Sequence, residues 1–108
     1  MFNLFSIGTK NYENLHGADF KQKYNQSNSA VLLDVRTPGE FRSGTIRGAR
    51  NIDFMSPSFM STVSTLDKNK EYFLVCRSGS RSGQACNQMA KEGFKVFNLA
   101  GGIGEWQD

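Results

Sequence analysis

The chain has 108 residues, 38% of them hydrophobic and 21% charged, and it carries a formal net charge of +3. These values are typical of one globular domain, which we place at residues 1–108. Two cysteines are too few for a disulfide framework, and no apolar run reaches the roughly 18 residues of a membrane span. The start, MFNLFSIGTK, lacks the basic and apolar regions of a signal peptide. We therefore expect a cytoplasmic protein without a membrane partner, and the scattered lysines and arginines argue against a nucleic-acid partner.

The first half of the chain predicts strands and helices in alternation. A short strand near Tyr12–Leu15 leads into a helix that continues to about Asn25. The continuous apolar run AVLLDV, residues 30–35, indicates a strand that is buried on both faces of a parallel sheet. Thr37 and Pro38 then suit the N-cap and the first position of a short helix.

The second half continues the alternation and defines the fold class. It predicts a short strand at GARNI (48–52), a helix over Ser56–Leu66 capped by its first residue, a buried strand at Glu71–Cys76, a helix from about Ser80 to Glu92 and a last strand at Lys95–Leu99. Strands that alternate with helices predict a three-layer α/β domain, with a mostly parallel central sheet flanked by helices. Ligands of such sheets bind at the carboxyl ends of the strands, where Cys76 is expected.

The stretch YFLVCRSGSRSG, residues 72–83, carries the features of an anion site built around a thiol. The start of a helix offers unpaired N–H groups, and a glycine at position 79 lets the loop curl so that these groups point inward. Nearby arginines and a helix N-terminus favour the thiolate form of a cysteine, which is the nucleophilic form. We therefore predict Cys76 as a catalytic nucleophile, although an inert core cysteine is the alternative. The predicted substrate-binding cradle consists of Arg77, Ser78, Gly79, Ser80, Arg81 and Ser82.

This loop resembles the active-site loop of the rhodanese family of thiosulfate:cyanide sulfurtransferases. VLLDVRTPGEF is similar to that family's Asp-Val-Arg-x-x-x-Glu-Phe segment, and SGTIRGARNI to its Gly-x-Ile-x-Gly-Ala-x-Asn-Ile segment. LAGGIGEW is similar to its Gly-Gly-x-x-x-Trp ending. The motifs follow the family's order from Val31 to Trp106, so the resemblance implies one rhodanese-like domain with its motif region at 31–106.

The resemblance implies persulfide chemistry without a metal or an organic cofactor. Cys76 would attack the outer sulfur of a small anionic donor such as thiosulfate and release sulfite. The persulfide would then pass its sulfur to cyanide or to a thiol, a thioredoxin-like protein being one such partner. The identity of the physiological donor and acceptor stays open at this point.

Two other functions are weighed against this one. Related cysteine-loop phosphatases place an arginine six residues after the cysteine, whereas here position 82 is Ser and Arg81 is the fifth residue. That spacing favours the sulfurtransferase over a phosphatase or an arsenate reductase. A non-catalytic rhodanese-like binding module is the third interpretation, and such modules usually lose the cysteine that this chain keeps.

Three positions depart from the family pattern. Thr45 and Arg47 stand where the family commonly has His and Pro, and Asp53 stands where a proline often follows Asn-Ile. These departures affect either the rim of the site or a surface loop, so the preferred donor is less well defined than the chemistry.

Several other side chains are expected to have structural roles. Cys86 falls on the apolar stripe of its predicted helix and is expected to pack in the core. His16, the single histidine, is expected at the surface or in packing, and Trp106 is expected to pack the terminal turn onto the domain. Arg36 is expected to form an ion pair with Glu40 or a hydrogen bond that braces a loop.

Overall fold

The computed structural model describes residues 12–107, so the segment MFNLFSIGTK, where no signal peptide is expected, lies outside the described residues. The strands are β1 (Glu13–Leu15), β2 (Ala30–Asp34), β3 (Arg50–Asn51), β4 (Glu71–Val75) and β5 (Lys95–Leu99). The helices are α1 (Gly17–Gln26), α2 (Pro38–Arg42), α3 (Phe59–Val63) and α4 (Ser80–Lys91), and a 3-10 turn follows at Ile103–Glu105. No helix within 12–107 is both long and apolar enough to cross a bilayer.

The strands form one sheet in the order β1-β5-β4-β2-β3, and every pairing in it is parallel. β4 lies in the middle, with Tyr72 beside Val31 of β2 and beside Val96 of β5. All strands therefore end at the same edge of the sheet, which is the edge where parallel α/β sheets bind ligands. The prediction of a mostly parallel central sheet is confirmed.

Apolar side chains bury both faces of this sheet. Along β4, Leu74 packs against α3 and α4, whereas Phe73 and Val75 pack on the opposite face with α1 and the terminal turn. This double burial explains why β4 is a continuous apolar run without polar alternation. Helices on both faces confirm the three-layer α/β architecture.

The helix expected at Ser56–Leu66 is shorter in the structure, where α3 covers only Phe59–Val63. The Ser56 hydroxyl accepts a hydrogen bond from the N–H of Ser58 (3.2 Å) and so closes a turn before the helix instead of capping it. Further along, the Thr65 hydroxyl donates to the carbonyl of Thr62 (2.7 Å). Serine and threonine side chains compete with the helical backbone bonds in this way, which is why a serine-rich segment keeps little more than one helical turn.

The start of α2 agrees with the prediction from Thr37 and Pro38. The Thr37 hydroxyl accepts from the N–H of Glu40 (3.3 Å), and the Glu40 carboxylate accepts from the N–H of Thr37 (3.1 Å). This reciprocal capping box fixes the first turn of the helix. It also fixes the direction of the Glu40 side chain, which reaches the site described next.

Candidate active site

Cys76 is the first residue after β4 and lies fully buried at the carboxyl end of the central strand. Gly79 then serves as the N-cap of α4 with a φ of 93°, a left-handed conformation that favours glycine. The chain turns within three residues from strand to helix, and the N–H groups at the start of α4 point back toward the sulfur. The loop therefore places the thiol against the positive end of a helix.

Hydrogen-bond donors from two residues surround the Cys76 sulfur. The N–H of Gly79 donates to Sγ at 3.1 Å and the N–H of Ser82 at 3.3 Å. The Ser82 hydroxyl also lies 3.3 Å from Sγ. Donors in this arrangement stabilise a negative charge on the sulfur more than they stabilise the neutral thiol.

The pKa of Cys76 reflects two opposing effects. Burial raises the pKa, because it takes the charged form out of water. The hydrogen bonds from the Ser82 hydroxyl and from the backbone of Ser82, Ser78 and Gly79 lower it, and their combined effect is larger. The pKa of Cys76 is therefore below its ordinary value, which favours the thiolate.

The two arginines of the loop have different surroundings. Arg81 makes a two-pronged ion pair with Glu40, with nitrogen–oxygen distances of 2.7 and 3.0 Å. This pair is the main reason that the pKa of Glu40 falls to about 2. Arg77 is exposed, and its guanidinium has no ion-pair partner within 12–107. Arg77 therefore offers free positive charge at the loop, whereas the charge of Arg81 is shared with a carboxylate.

Only some of the residues predicted to form the substrate-binding cradle lie against the sulfur of Cys76 in the structure. Gly79 and Ser82 contact Sγ directly, and Arg81 faces Glu40. Ser78 and Ser80 are exposed on the outside of the loop. They line a cleft of about 750 Å³ beside it, whose other lining residues are uncharged, amides such as Asn14 among them.

The segment after β5, residues 100–103, packs against the Cys76 loop and supports its backbone. The sequence did not suggest this role. The N–H of Ile103 donates to the carbonyl of Cys76 at 2.8 Å. A side chain at Gly102 would place its Cβ only 2.0 Å from the carbonyl oxygen of Arg77, and a side chain at Gly79 only 2.0 Å from that of Ala100. The close approach of the two backbones therefore requires glycine at both positions. The available signal was the Gly-Gly pair in LAGGIGEW.

Asn98 is a second residue that sequence reasoning missed. Its side chain is 3% exposed at the end of β5, and it accepts from the Ser82 hydroxyl at 2.5 Å. Its amide nitrogen donates to the carbonyl of Gly79 at 3.1 Å and to the side chain of Asn14 at 2.8 Å. Asn98 therefore contacts Gly79 and Ser82, two of the residues that donate to the Cys76 sulfur. The signal was one polar residue inside the apolar strand KVFNL.

Arg36 does not pair with Glu40, contrary to one of the two expectations for it. Its guanidinium binds Asp34 at 2.7 Å and the carbonyl of Gly44 at 2.6 Å, so the loop-bracing expectation is confirmed. Both Asp34 and Arg36 are buried at the end of β2, where a partner two residues away satisfies each charge. Thr45, one of the departures from the family pattern, donates its hydroxyl proton to Asp34 at 2.8 Å.

The remaining expectations concern residues away from the sulfur, and each is confirmed. Cys86 is a fully buried free thiol in the core, where burial and the nearby charge of Cys76 raise its pKa. His16 is exposed and contacts the carboxylate of Glu105 at 3.0 Å. Trp106 packs edge-on against Phe20 with ring centres 6.1 Å apart.

Comparison with known proteins defines the family. The rhodanese-like domain family matches residues 17–108, and the chain belongs to it. A sulfurtransferase of Allochromatium vinosum is 36% identical over 87 residues, which cover 79% of this chain and 78% of that protein. The thiosulfate sulfurtransferase GlpE of Ectopseudomonas mendocina is 32% identical over 83 residues, covering 76% and 74%. The crystal structure of a rhodanese-like domain protein from Staphylococcus aureus matches with a TM-score of 0.76 at 27% identity, covering 89% of this chain and 92% of that one.

Proposed function

We propose that this protein is a sulfurtransferase that carries a sulfane sulfur on Cys76 as a persulfide. The observation that carries the proposal is the thiol of Cys76, which accepts N–H donors from Gly79 and Ser82 at the start of α4 and has a lowered pKa. Relatives named as sulfurtransferases support the same activity. The donor is thiosulfate or a related anion, and the acceptor is cyanide or a thiol.

The first half-reaction loads the sulfur. The Cys76 thiolate attacks the outer sulfur of thiosulfate, a new S–S bond forms, and the S–S bond of the donor breaks with its electron pair leaving on sulfite. The N–H groups of Gly79 and Ser82, which already face Sγ, stabilise the negative charge as it moves along the sulfur chain. The exposed guanidinium of Arg77 attracts the anionic donor.

The second half-reaction unloads it. Cyanide or a thiolate attacks the outer sulfur of the persulfide, and Cys76 leaves as a thiolate that the same donors stabilise. Each step exchanges sulfur between nucleophiles, so the proposed cycle includes no metal and no organic cofactor. The proposal includes a thioredoxin-like protein among the thiol acceptors and a reducing, cytoplasmic setting, in which thiols such as Cys76 stay reduced.

The test is the rate of thiocyanate formation from thiosulfate and cyanide, compared with hydrolysis of an aryl phosphate. We expect thiocyanate formation that is lost in Cys76→Ser and retained in Cys86→Ala, the matched change at the buried cysteine of α4. Aryl phosphate hydrolysis that depends on Cys76 would instead establish a phosphatase. No turnover of either substrate, with a protein complex that survives Cys76→Ser, would establish a binding module.

A further inference from the structure

The Ser82 hydroxyl lies between two acceptors but carries one proton. Its oxygen is 2.5 Å from Oδ1 of Asn98 and 3.3 Å from Sγ of Cys76. A serine hydroxyl donates a single hydrogen bond, so it cannot satisfy both acceptors at once. The two residues therefore compete for the same proton.

The amide of Asn98 has only one orientation that fits its surroundings. Its nitrogen must face the carbonyl oxygen of Gly79, which can only accept, and it also donates to Oδ1 of Asn14. The oxygen of the amide consequently faces Ser82. Since Asn98 presents an acceptor there, the proton of the short contact comes from the hydroxyl.

The distances show which acceptor holds the proton in this structure. A separation of 2.5 Å is at the short end of O–H···O hydrogen bonds, and two oxygens at that distance without a proton between them repel. The hydroxyl proton therefore points to Asn98, and the Cys76 sulfur keeps the N–H donors of Gly79 and Ser82. The contribution of this hydroxyl to the lowered pKa of Cys76 therefore belongs to the thiolate, toward which the hydroxyl turns from Asn98.

We propose that Asn98 is a positioning residue that sets the thiolate fraction of Cys76 by competing with the sulfur for the Ser82 proton. Formation of the thiolate turns the hydroxyl toward Sγ and removes one hydrogen bond from Asn98, which costs free energy. When the sulfur chain is loaded and the charge moves to the outer sulfur, the proton returns to Asn98. This inference rests on the proposed function, because it makes Cys76 the nucleophile.

Other charged groups that influence Cys76 make no direct hydrogen bond to Asn98 in the described part of the chain. Arg81 and Cys86 of α4 interact electrostatically with Cys76. Arg81 is itself paired with Glu40 from α2, and Tyr12, the residue before β1, interacts electrostatically with Cys86. Asn98 also donates to the carbonyl of Gly79, whose N–H donates to Sγ, so the Ser82→Ala background used below separates the contact through Ser82 from the contact through Gly79.

The test measures the rate of Cys76 alkylation by iodoacetamide against pH, with the modified peptide identified by mass. In Asn98→Leu the hydroxyl proton is free to face the sulfur, so we expect the midpoint of the pH profile to fall by roughly 0.5 to 1 pH unit, the size of one hydrogen bond. The smaller Asn98→Val should shift it in the same direction if leucine is too large for the site. The control is Asn14→Ala, which keeps the contact between Ser82 and Asn98 and should leave the midpoint unchanged.

The decisive comparison repeats Asn98→Leu in a Ser82→Ala background. The proposal predicts no shift there, because the shared proton is gone. A midpoint that rises or stays constant in both Asn98→Leu and Asn98→Val, or a fall that persists without Ser82, would overturn it. Alkylation needs no sulfur donor, so this readout stays valid if the wild type accepts no sulfur from thiosulfate, a result that would refute only the proposed function.

Discussion

At the scale of single residues, the lowered pKa of Cys76 comes from hydrogen-bond donors around its sulfur, so the proposed nucleophile does not rely on a neighbouring base. The groups that stabilise a charge on Sγ in the described part of the chain are the backbone of Ser78, Gly79 and Ser82 and the Ser82 hydroxyl. His16 is exposed and bound to Glu105, and it makes no hydrogen bond to Sγ. A thiolate stabilised in this way needs no second titrating side chain to remove its proton during the reaction.

The ion pair between Glu40 and Arg81 leads to a prediction about pH. The pKa of Glu40 is lowered from 4.5 to about 2, mainly by Arg81. The charged carboxylate therefore stabilises the folded protein fully above pH 4.5, and this stabilisation is lost as the pH falls through about 2. We expect Glu40→Gln to lower the free energy of unfolding at pH 7, and this difference from the wild type to shrink below pH 4.5. Urea unfolding across this range tests it, and a difference that is independent of pH would contradict it.

Arg77 leads to a prediction about donor binding, which rests on the proposed function. Its side chain is exposed and has no ion-pair partner among residues 12–107, so Arg77→Ala should raise the KM for thiosulfate several-fold and lower kcat little. The effect should weaken as salt is added, because exposed charges are screened. Lys91→Ala is the matched control, since Lys91 is an exposed cation at the far end of α4. An equal rise in KM for both substitutions would contradict the prediction, because donor binding would then depend only on the net charge of the protein.

At the scale of secondary-structure elements, the loop exists because two segments distant in sequence pack backbone to backbone. Gly79 and Gly102 both have positive φ, of 93° and 91°, and neither has room for a Cβ. The carbonyl of Cys76 is held by the N–H of Ile103 on the same segment. The position of Cys76, the proposed nucleophile, therefore depends on a turn whose described residues make no hydrogen bond to its sulfur.

We predict that Gly102→Ala destabilises the protein and reduces persulfide formation on Cys76. The strained φ alone costs about 1–3 kcal/mol, and the contact of the new Cβ with the carbonyl of Arg77 adds to this. Gly104→Ala is the control in the same segment, because a Cβ there has no neighbour within 4 Å. Urea unfolding and mass measurement of the loaded protein give both readouts. A Gly102→Ala protein as stable as Gly104→Ala would contradict the prediction.

Elements with a strong local pattern were predictable from the sequence. The apolar runs that became β2 and β4, and the capping residues of α2, depend on burial or on neighbours within one turn. The predicted length of α3 was wrong. Hydrogen bonds from serine and threonine hydroxyls in and next to this helix to the backbone outweigh a weak helical pattern. Asn98 and Gly102 were missed as site residues because their partners lie far away in the chain and meet them only in the folded sheet.

At the scale of the whole molecule, β4 joins the two halves of the core and is followed directly by Cys76, the proposed nucleophile. Phe73 stacks on Phe97 with ring centres 4.6 Å apart and meets Phe20 of α1 edge-on at 5.5 Å. The next residue, Leu74, packs with α3 and α4 on the opposite face. Loss of packing on either face therefore weakens the support of the loop as well as the fold.

We predict that Phe73→Ala lowers the free energy of unfolding by about 3–5 kcal/mol, as expected for a large aromatic side chain removed from a core. This is a large part of the roughly 5–15 kcal/mol that stabilises a domain. Met55→Ala is the control, because 65% of Met55 is exposed and little packing is lost there. Chemical unfolding of both variants provides the measurement. A cost below that of Met55→Ala would show that the cluster around Phe73 does not hold the layers together.

The most direct test of Cys76 as a persulfide carrier is an intact mass measurement after brief treatment with thiosulfate, made on the wild type and on Cys76→Ser. We expect that the wild type gains the mass of one sulfur atom, that cyanide reverses the gain, and that Cys76→Ser gains nothing. An unchanged mass in the wild type, or a gain that persists in Cys76→Ser, would contradict Cys76 as the carrier of sulfur.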